Sequence, residues 1–195
     1  MGNADGFRGP ALLDERNLHL LFATAAAVAS TSHVKGLPVT DFPRLKTKYP
    51  DLIPERQHFQ CGPGWEQVLD KYFDEVGRAL PLGASLGLGR IYQKYGSLRI
   101  DAMPEGVVTD DVQIALDKAE NLADSRSYRY CETCGKPGNL RDKHRWLYVA
   151  CEAHADGAPP LPPDEGVLQL NGVAYEYDEN LDDLVVVEDE HEAAG

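Results

Sequence analysis

The chain has no apolar stretch long enough to cross a bilayer. The nearest candidate, "LHLLFATAAAVAS" (Leu18 to Ser30), falls short of the roughly 20 residues that a spanning helix needs. Nor does that run read as a signal peptide, because Asp14 and Glu15 lie ahead of it and no compact basic region abuts it, so secretion is not expected. No segment repeats at a fixed period, which sets solenoid architectures aside. The catalytic zinc signatures are missing as well. There is no His-Glu-x-x-His helix, and Tyr130 stands where a zinc deaminase carries proline before its Cys-x-x-Cys, with no His-x-Glu upstream. The glycines Gly87 and Gly89 lack the third glycine and following helix of a dinucleotide fingerprint. With no base, nucleophile and open metal position to combine, an enzyme is not the expectation.

Lysine and arginine are absent from residues 155–195, which carry twelve acidic side chains. The formal net charge of -13 is therefore almost all C-terminal: residues 1–60 sum to +1, 61–126 to -4, 127–154 to +2 and 155–195 to -12. Cysteine is scarce too, at four in 195 residues. In a reducing compartment such thiols are better read as metal ligands than as disulfide partners, and cytoplasm is the expected location.

Proline and glycine divide what remains. Pro10 to about Ser30, rich in Leu and Ala, predicts a helix, whereas five prolines between residues 36 and 63 predict an irregular connector. Trp65, Val68, Leu69, Tyr72, Phe73, Val76 and Leu80 recur at helical spacing and are assigned to core packing. Leu98, Ile100 and Ala102 alternate with Arg99 and Asp101 as a half-buried strand would, after a break at Gly96. Thr109 is a plausible N-cap for a second helix, with Asp110 and Asp111 at its positive end and a stripe through Val112, Ala115, Leu116, Ala119, Leu122 and Ala123. "PPLPP" marks a linker, and apolar alternation around Asn171-Gly172 predicts a hairpin that must dock or await a partner. The resulting division is 1–60, N-terminal helix and connector; 61–126, helix–sheet–helix core; 127–156, zinc ribbon; and 157–195, linker and acidic tail.

The strongest chemical signal is "CETCGKPGNLRDKHRWLYVACEAH", in which Cys131-x2-Cys134 and Cys151-x2-His154 enclose sixteen residues. Three thiolates and one imidazole at this spacing predict a single structural Zn2+ with no site left for water. Gly135 permits the tight turn that aims backbone N–H groups at sulfur, and Trp146 to Ala150 predict the strand that returns to the second pair. Cys61 is expected to be a small buried residue, and His144 to face solvent. Basic side chains around the site, Arg126, Arg129, Lys136, Arg141, Lys143 and Arg145, interleave with Tyr128, Tyr130, Trp146 and Tyr148, so nucleic acid is a candidate ligand. The acidic tail would compete with phosphate for those cations.

The order of motifs is itself distinctive. "CGPGW" (Cys61 to Trp65), "KYGSLRI" (Lys94 to Ile100), "AENLADS" (Ala119 to Ser125), "CETCGKPG" and "CEAH" resemble a group of uncharacterised small zinc-knuckle proteins of phages and prophages, over about Tyr49 to Ala155. Their pattern reads CGxGW, KxGxLR, CExCGxPG and a closing CxxC or CxxH. The chain departs from it with Pro63 for aspartate, Tyr95 for phenylalanine, Ser97 for glycine, and His154 where cysteine is frequent. The resemblance implies a phage or prophage context and a zinc knuckle, and no activity.

The expectation is thus an α+β protein: a helical N-terminal part, a small antiparallel sheet with two packed helices, a zinc ribbon and an acidic C-terminal hairpin. Its expected role is that of a non-enzymatic zinc-binding accessory protein in the bacterial host cytoplasm, with a protein partner favoured and no membrane. The alternatives are a nucleic-acid-binding ribbon autoinhibited by its tail, and a DNA mimic or counter-defence protein acting through that tail.

Overall fold

A computed structural model describes residues 39–162 and 166–187. The helix expected from Pro10 to about Ser30 lies outside the described residues. Within them the chain is mixed α+β, with three α-helices and three small three-stranded sheets. No helix among the described residues is long and apolar enough to cross a membrane.

The proline-rich connector is more ordered than its composition suggests. Pro43 opens a one-and-a-half-turn helix, α1 (Pro43–Lys48), where its missing N–H is no loss. Phe42, Leu45 and Ile53 are buried in the main core, so apolar residues between the prolines fix the path of the connector. It ends in a two-residue strand, β1 (Phe59–Gln60). A single 3-10 turn, Pro63–Trp65, leads into α2 (Glu66–Ala79), which buries Val68, Leu69, Tyr72, Phe73 and Val76 along the stripe read from the sequence. Trp65 is fully buried, and the Phe73 ring meets Tyr72 edge-on at 5.0 Å.

Strands β2 (Ser85–Lys94) and β3 (Ser97–Glu105) form an antiparallel hairpin, and β1 joins β2 in parallel to give the order β1-β2-β3. The register shifts between Leu88 and Ile91, so Gly87 and Gly89 sit in or beside a bulged strand rather than a phosphate-cradling turn. Helix α3 (Asp110–Ser127) packs on α2 and β3 through Leu116, Ala119 and Ala123. It runs on to Ser127, beyond the apolar stripe, because its last turn is buried by polar means. Ser127 Oγ accepts the Leu98 N–H at 2.9 Å and donates to the Asp124 carbonyl, and Arg99 pairs with the Asp124 carboxylate.

The second sheet has the order β5-β4-β6, from β4 (Asn139–Lys143), β5 (Trp146–Ala150) and β6 (Pro160–Leu161). Pro160 sits on an outer strand, where a missing donor is tolerated. The third sheet is a meander of β7 (Leu168–Leu170), β8 (Val173–Asp178) and β9 (Asp183–Val186). Asn171 and Gly172 have φ of 50° and 77°, the left-handed pair of a type I′ turn. The third strand, β9, went unread because "DENLDD" looks like a charged terminus rather than a turn.

Charge docks this meander on the helices. Asp182 accepts from Arg126 Nε at 2.7 Å, from Lys71 Nζ at 2.7 Å and from the Tyr177 hydroxyl at 2.9 Å, while Asp183 pairs with Lys118 at 2.8 Å. Leu184 is buried beneath. Glu75 also bonds Arg126, at 2.8 Å, yet the two carboxylates shift in opposite directions. Desolvation raises Glu75 more than Arg126 lowers it, and its second oxygen has no hydrogen-bond partner among the described residues. Desolvation also acts on Asp182, but hydrogen bonds from Arg126, Lys71 and Tyr177 outweigh it and bring the carboxyl down to about 2.

A folded value below the unfolded one, about 3.9, means that the Asp182 contribution is complete above that pH and is lost as pH falls toward 2. Amide exchange of residues 168–186, normalised to the intrinsic rate, is therefore expected to lose protection between about pH 4 and pH 2 before α2 does. Asp182→Asn should show the weaker protection already at neutral pH.

Candidate metal centre

The four predicted ligands converge. Their donor atoms, the sulfurs of Cys131, Cys134 and Cys151 and a ring nitrogen of His154, all lie within 4.8 Å of one another. Cys134 Sγ is 3.7 Å from Cys151 Sγ, and His154 Nδ1 is 3.3 Å from Cys151 Sγ and 3.5 Å from Cys131 Sγ. Four donors around one ion with metal–sulfur bonds of about 2.3 Å and metal–nitrogen bonds of about 2.0 Å must be roughly 3.5–3.8 Å apart at the tetrahedral angle. Three of the donor pairs, at 3.3, 3.5 and 3.7 Å, lie near that separation and all four atoms fall within 4.8 Å, so the residues are close enough to hold one metal ion.

Each pair rides on a tight backbone turn. In the first, the Cys134 and Gly135 N–H groups donate to the Cys131 carbonyl at 3.2 and 2.8 Å, and Gly135 takes φ 71°, which a side chain would resist. The Lys136 N–H favours the Cys134 thiolate, but desolvation and the neighbouring Cys131 and Cys151 sulfurs outweigh it and raise the thiol. In the second, Cys151 follows β5 and a 3-10 turn over Glu152–His154 swings the imidazole back, with the His154 N–H on the Cys151 carbonyl at 2.9 Å. Desolvation disfavours the Cys151 thiolate, but hydrogen bonds from Cys134, His154 and Cys131 and the Ala153 N–H prevail and lower the group to about 7. Cys131 is fully buried, whereas Cys134 is exposed and His154 half-buried, so the cluster opens to solvent on the Cys134 side.

The first turn is seated on the core through contacts that were not foreseen from spacing alone. The Gly62 N–H donates to Glu132 Oε1 at 2.9 Å, the Gly64 N–H to the Glu132 carbonyl at 2.7 Å, and the Trp65 indole N–H to the Tyr130 carbonyl at 2.9 Å. Gln67 reaches the Gly135 carbonyl at 2.9 Å. A Cβ at Gly64 would overlap the Cys131 carbonyl oxygen and the Gly135 nitrogen, and one at Gly62 would overlap the Glu132 carbonyl. Backbone thus lies on backbone. The available signal was the pair of glycines flanking Pro63, each of which marks a close approach rather than a flexible loop. Cys61 stays outside the ligand cluster: burial, with Glu132 beside it, pushes its thiol up.

The basic candidates divide. Arg141 is 1% exposed, and its three nitrogens engage the Ala150 carbonyl, the Ala158 carbonyl and Glu152, so it braces the second turn from inside. Arg129 lies over the Tyr177 ring at 5.4 Å and 3.5 Å from Glu179, against the docked meander. Arg126 is held between Glu75 and Asp182. Lys143 pairs with Asp156 at 2.6 Å. Lys136, His144, Arg145 and Trp146 are exposed. Tyr128 packs with Leu140 and Val149, and the Tyr148 hydroxyl donates to the Ala155 carbonyl at 2.7 Å.

Neither a family model, a curated protein nor a solved structure matches the chain significantly.

Because Gly64 has no room for a side chain, Gly64→Ala is expected to lower stability to chemical denaturation by about 1–3 kcal/mol or more. Gly166→Ala, where a Cβ would meet nothing within 4 Å, should leave the midpoint unchanged.

Proposed function

We propose that the chain is a non-enzymatic zinc-binding accessory protein, in which one Zn2+ held by Cys131, Cys134, Cys151 and His154 locks a ribbon, β4–β5 with its flanking turns, onto the helical core. The convergence of four donors, three sulfurs and one imidazole nitrogen, within 4.8 Å carries this reading. Sulfur-rich donors with one imidazole suit zinc better than a hard, oxygen-seeking cation, and a set that completes the tetrahedron by itself is that of a structural site. The seating of the first turn against Gly62 to Trp65 supports it further, since the ion would then fix a joint between two parts of the protein and not an isolated finger. The motif order points to a phage or prophage origin and a working life in the cytoplasm of a bacterial host. The protein acts there by contact with another macromolecule.

A second reading, a nucleic-acid-binding ribbon restrained by its tail, is favoured by one observation. Asp182, Asp183 and Glu179 face Arg126, Lys71, Lys118 and Arg129, so acidic groups of the tail cover cations of α2 and α3. The same pairing weakens the DNA-mimic reading, because those carboxylates are neutralised within the molecule.

Metal analysis of the full chain purified without added zinc is expected to find one zinc per molecule. Cys134→Ser should lose the metal and the order of residues 131–161 together, because ribbons of this size rely on the ion for folding. A metal-free natural chain, or a Cys134→Ser protein as stable as its parent, would overturn the proposal.

A further inference from the structure

The tip of one hairpin meets the side of another, where β2–β3 rests on β5. The tip of β2–β3 turns at Tyr95 and Gly96, and a Cβ on Gly96 would lie 3.5 Å from the Leu147 backbone and 3.4 Å from the Tyr148 nitrogen. Gln93, itself buried, donates to the Leu147 carbonyl at 2.6 Å. The β2–β3 tip is therefore held against β5, at the residue that follows Trp146. Tyr95 adjoins one end of this contact and Trp146 the other.

Both tips hold side chains in a backbone conformation that favours glycine. Tyr95, His144 and Arg145 have φ of 54°, 55° and 69°. Each pair, Tyr95-Gly96 and His144-Arg145, forms a two-residue hairpin turn like that at Asn171-Gly172, which projects its side chains from the sheet. Tyr95 is 70% exposed and Trp146 53%, and no other phenylalanine, tyrosine or tryptophan among the described residues is as open to solvent. Cations accompany them. Lys94 Nζ stands 5.5 Å from the Tyr95 ring. The Arg145 N–H donates to Asp142 Oδ1 at 2.7 Å, while no ion pair of the Lys94 or Arg145 side chain is found among the described residues.

We propose that this double tip, Lys94 and Tyr95 with Arg145 and Trp146, is a contact site for single-stranded nucleic acid. Flat exposed rings accept the π-faces of bases, which only an unpaired strand presents, and the adjoining cations track its phosphates. A duplex would offer its phosphates to the cations but no free base face to the rings. The described part of the acidic tail docks on α2 and α3, so its pairs with Arg126, Lys71 and Lys118 leave the tip uncovered. The inference rests on the reading of the protein as one that contacts a macromolecule, and it names that macromolecule.

The test is fluorescence anisotropy of the full-length chain with labelled oligo-dT, its RNA counterpart and a duplex of equal length, at low and physiological salt. Metal content is measured on the same sample. Binding to the single strands, weakened by salt and stronger than to the duplex, is expected. Trp146→Ala and Tyr95→Asn should each weaken it about tenfold, and Lys94→Glu with Arg145→Glu should remove it, with circular dichroism and metal content unchanged. A zinc-loaded chain that binds no single strand at low salt, ring variants that bind as well as the parent, or equal affinity for the duplex would overturn the inference and leave the metal reading standing. Single-strand binding that persists in a metal-free chain, with the same sensitivity to the ring variants, would support the tip and remove the metal reading.

Discussion

Backbone contact without side chains is what the arrangement turns on. Gly64 lies so close to Cys131 and Gly135 that a single methyl group would part them. Once they touch, the rest follows in short steps. The Gly64 N–H finds the Glu132 carbonyl, the Trp65 indole finds Tyr130, and α2 departs from the same turn carrying the stripe that builds the core. The metal-ligand turn and the largest helix-borne core residues are thereby tied within a few residues of each other. Dispersion and hydrogen bonding hold this joint, while the ion would hold the two ligand pairs to each other.

Electrostatics has a narrower part, and it is unevenly divided. Arg126, almost wholly buried, would be an expense to the fold if it stood alone, since a buried guanidinium needs its donors filled. Asp182 and Glu75 fill them from opposite sides. Asp182 gains more from the arrangement because two further donors reach it, while Glu75 is left with one idle oxygen. Arg141 solves the same problem differently, with two carbonyls and one carboxylate at the heart of the second sheet. Neither arginine is a surface charge, although composition counts both as such.

Local pattern carried much of this into the sequence. The α2 stripe from Val68 to Val76, the start of α3 after Thr109, the turn at Asn171-Gly172 and the convergence of the four ligands were all readable, because helical period, turn chemistry and ligand spacing are local properties. Partnerships across long stretches of chain were not. Glu132 and Gly62 are seventy residues apart, and Arg126 and Asp182 fifty-six, and nothing in either segment names the other. The inward turn of Arg141 was hidden for a related reason: in "NLRDKHR" it looks like one more basic residue of an exposed turn, and only the pairing of β4 between β5 and β6 puts it inside. Conversely, the motif glycines at 62, 64 and 96 were noticed as signatures, and the structure gives them one shared physical meaning, the contact of the core with the β4–β5 hairpin and its first turn.

The docking of the C-terminal meander has a topological consequence. Its anchors, Lys71, Lys118 and Arg126, all precede the ligand cluster in the chain, and the meander follows it. The cluster therefore occupies a loop whose two ends are clasped independently of the ion. A cut between Cys131 and Leu161 would therefore leave two fragments still gripping each other through these pairs, a nicked complex rather than a severed protein.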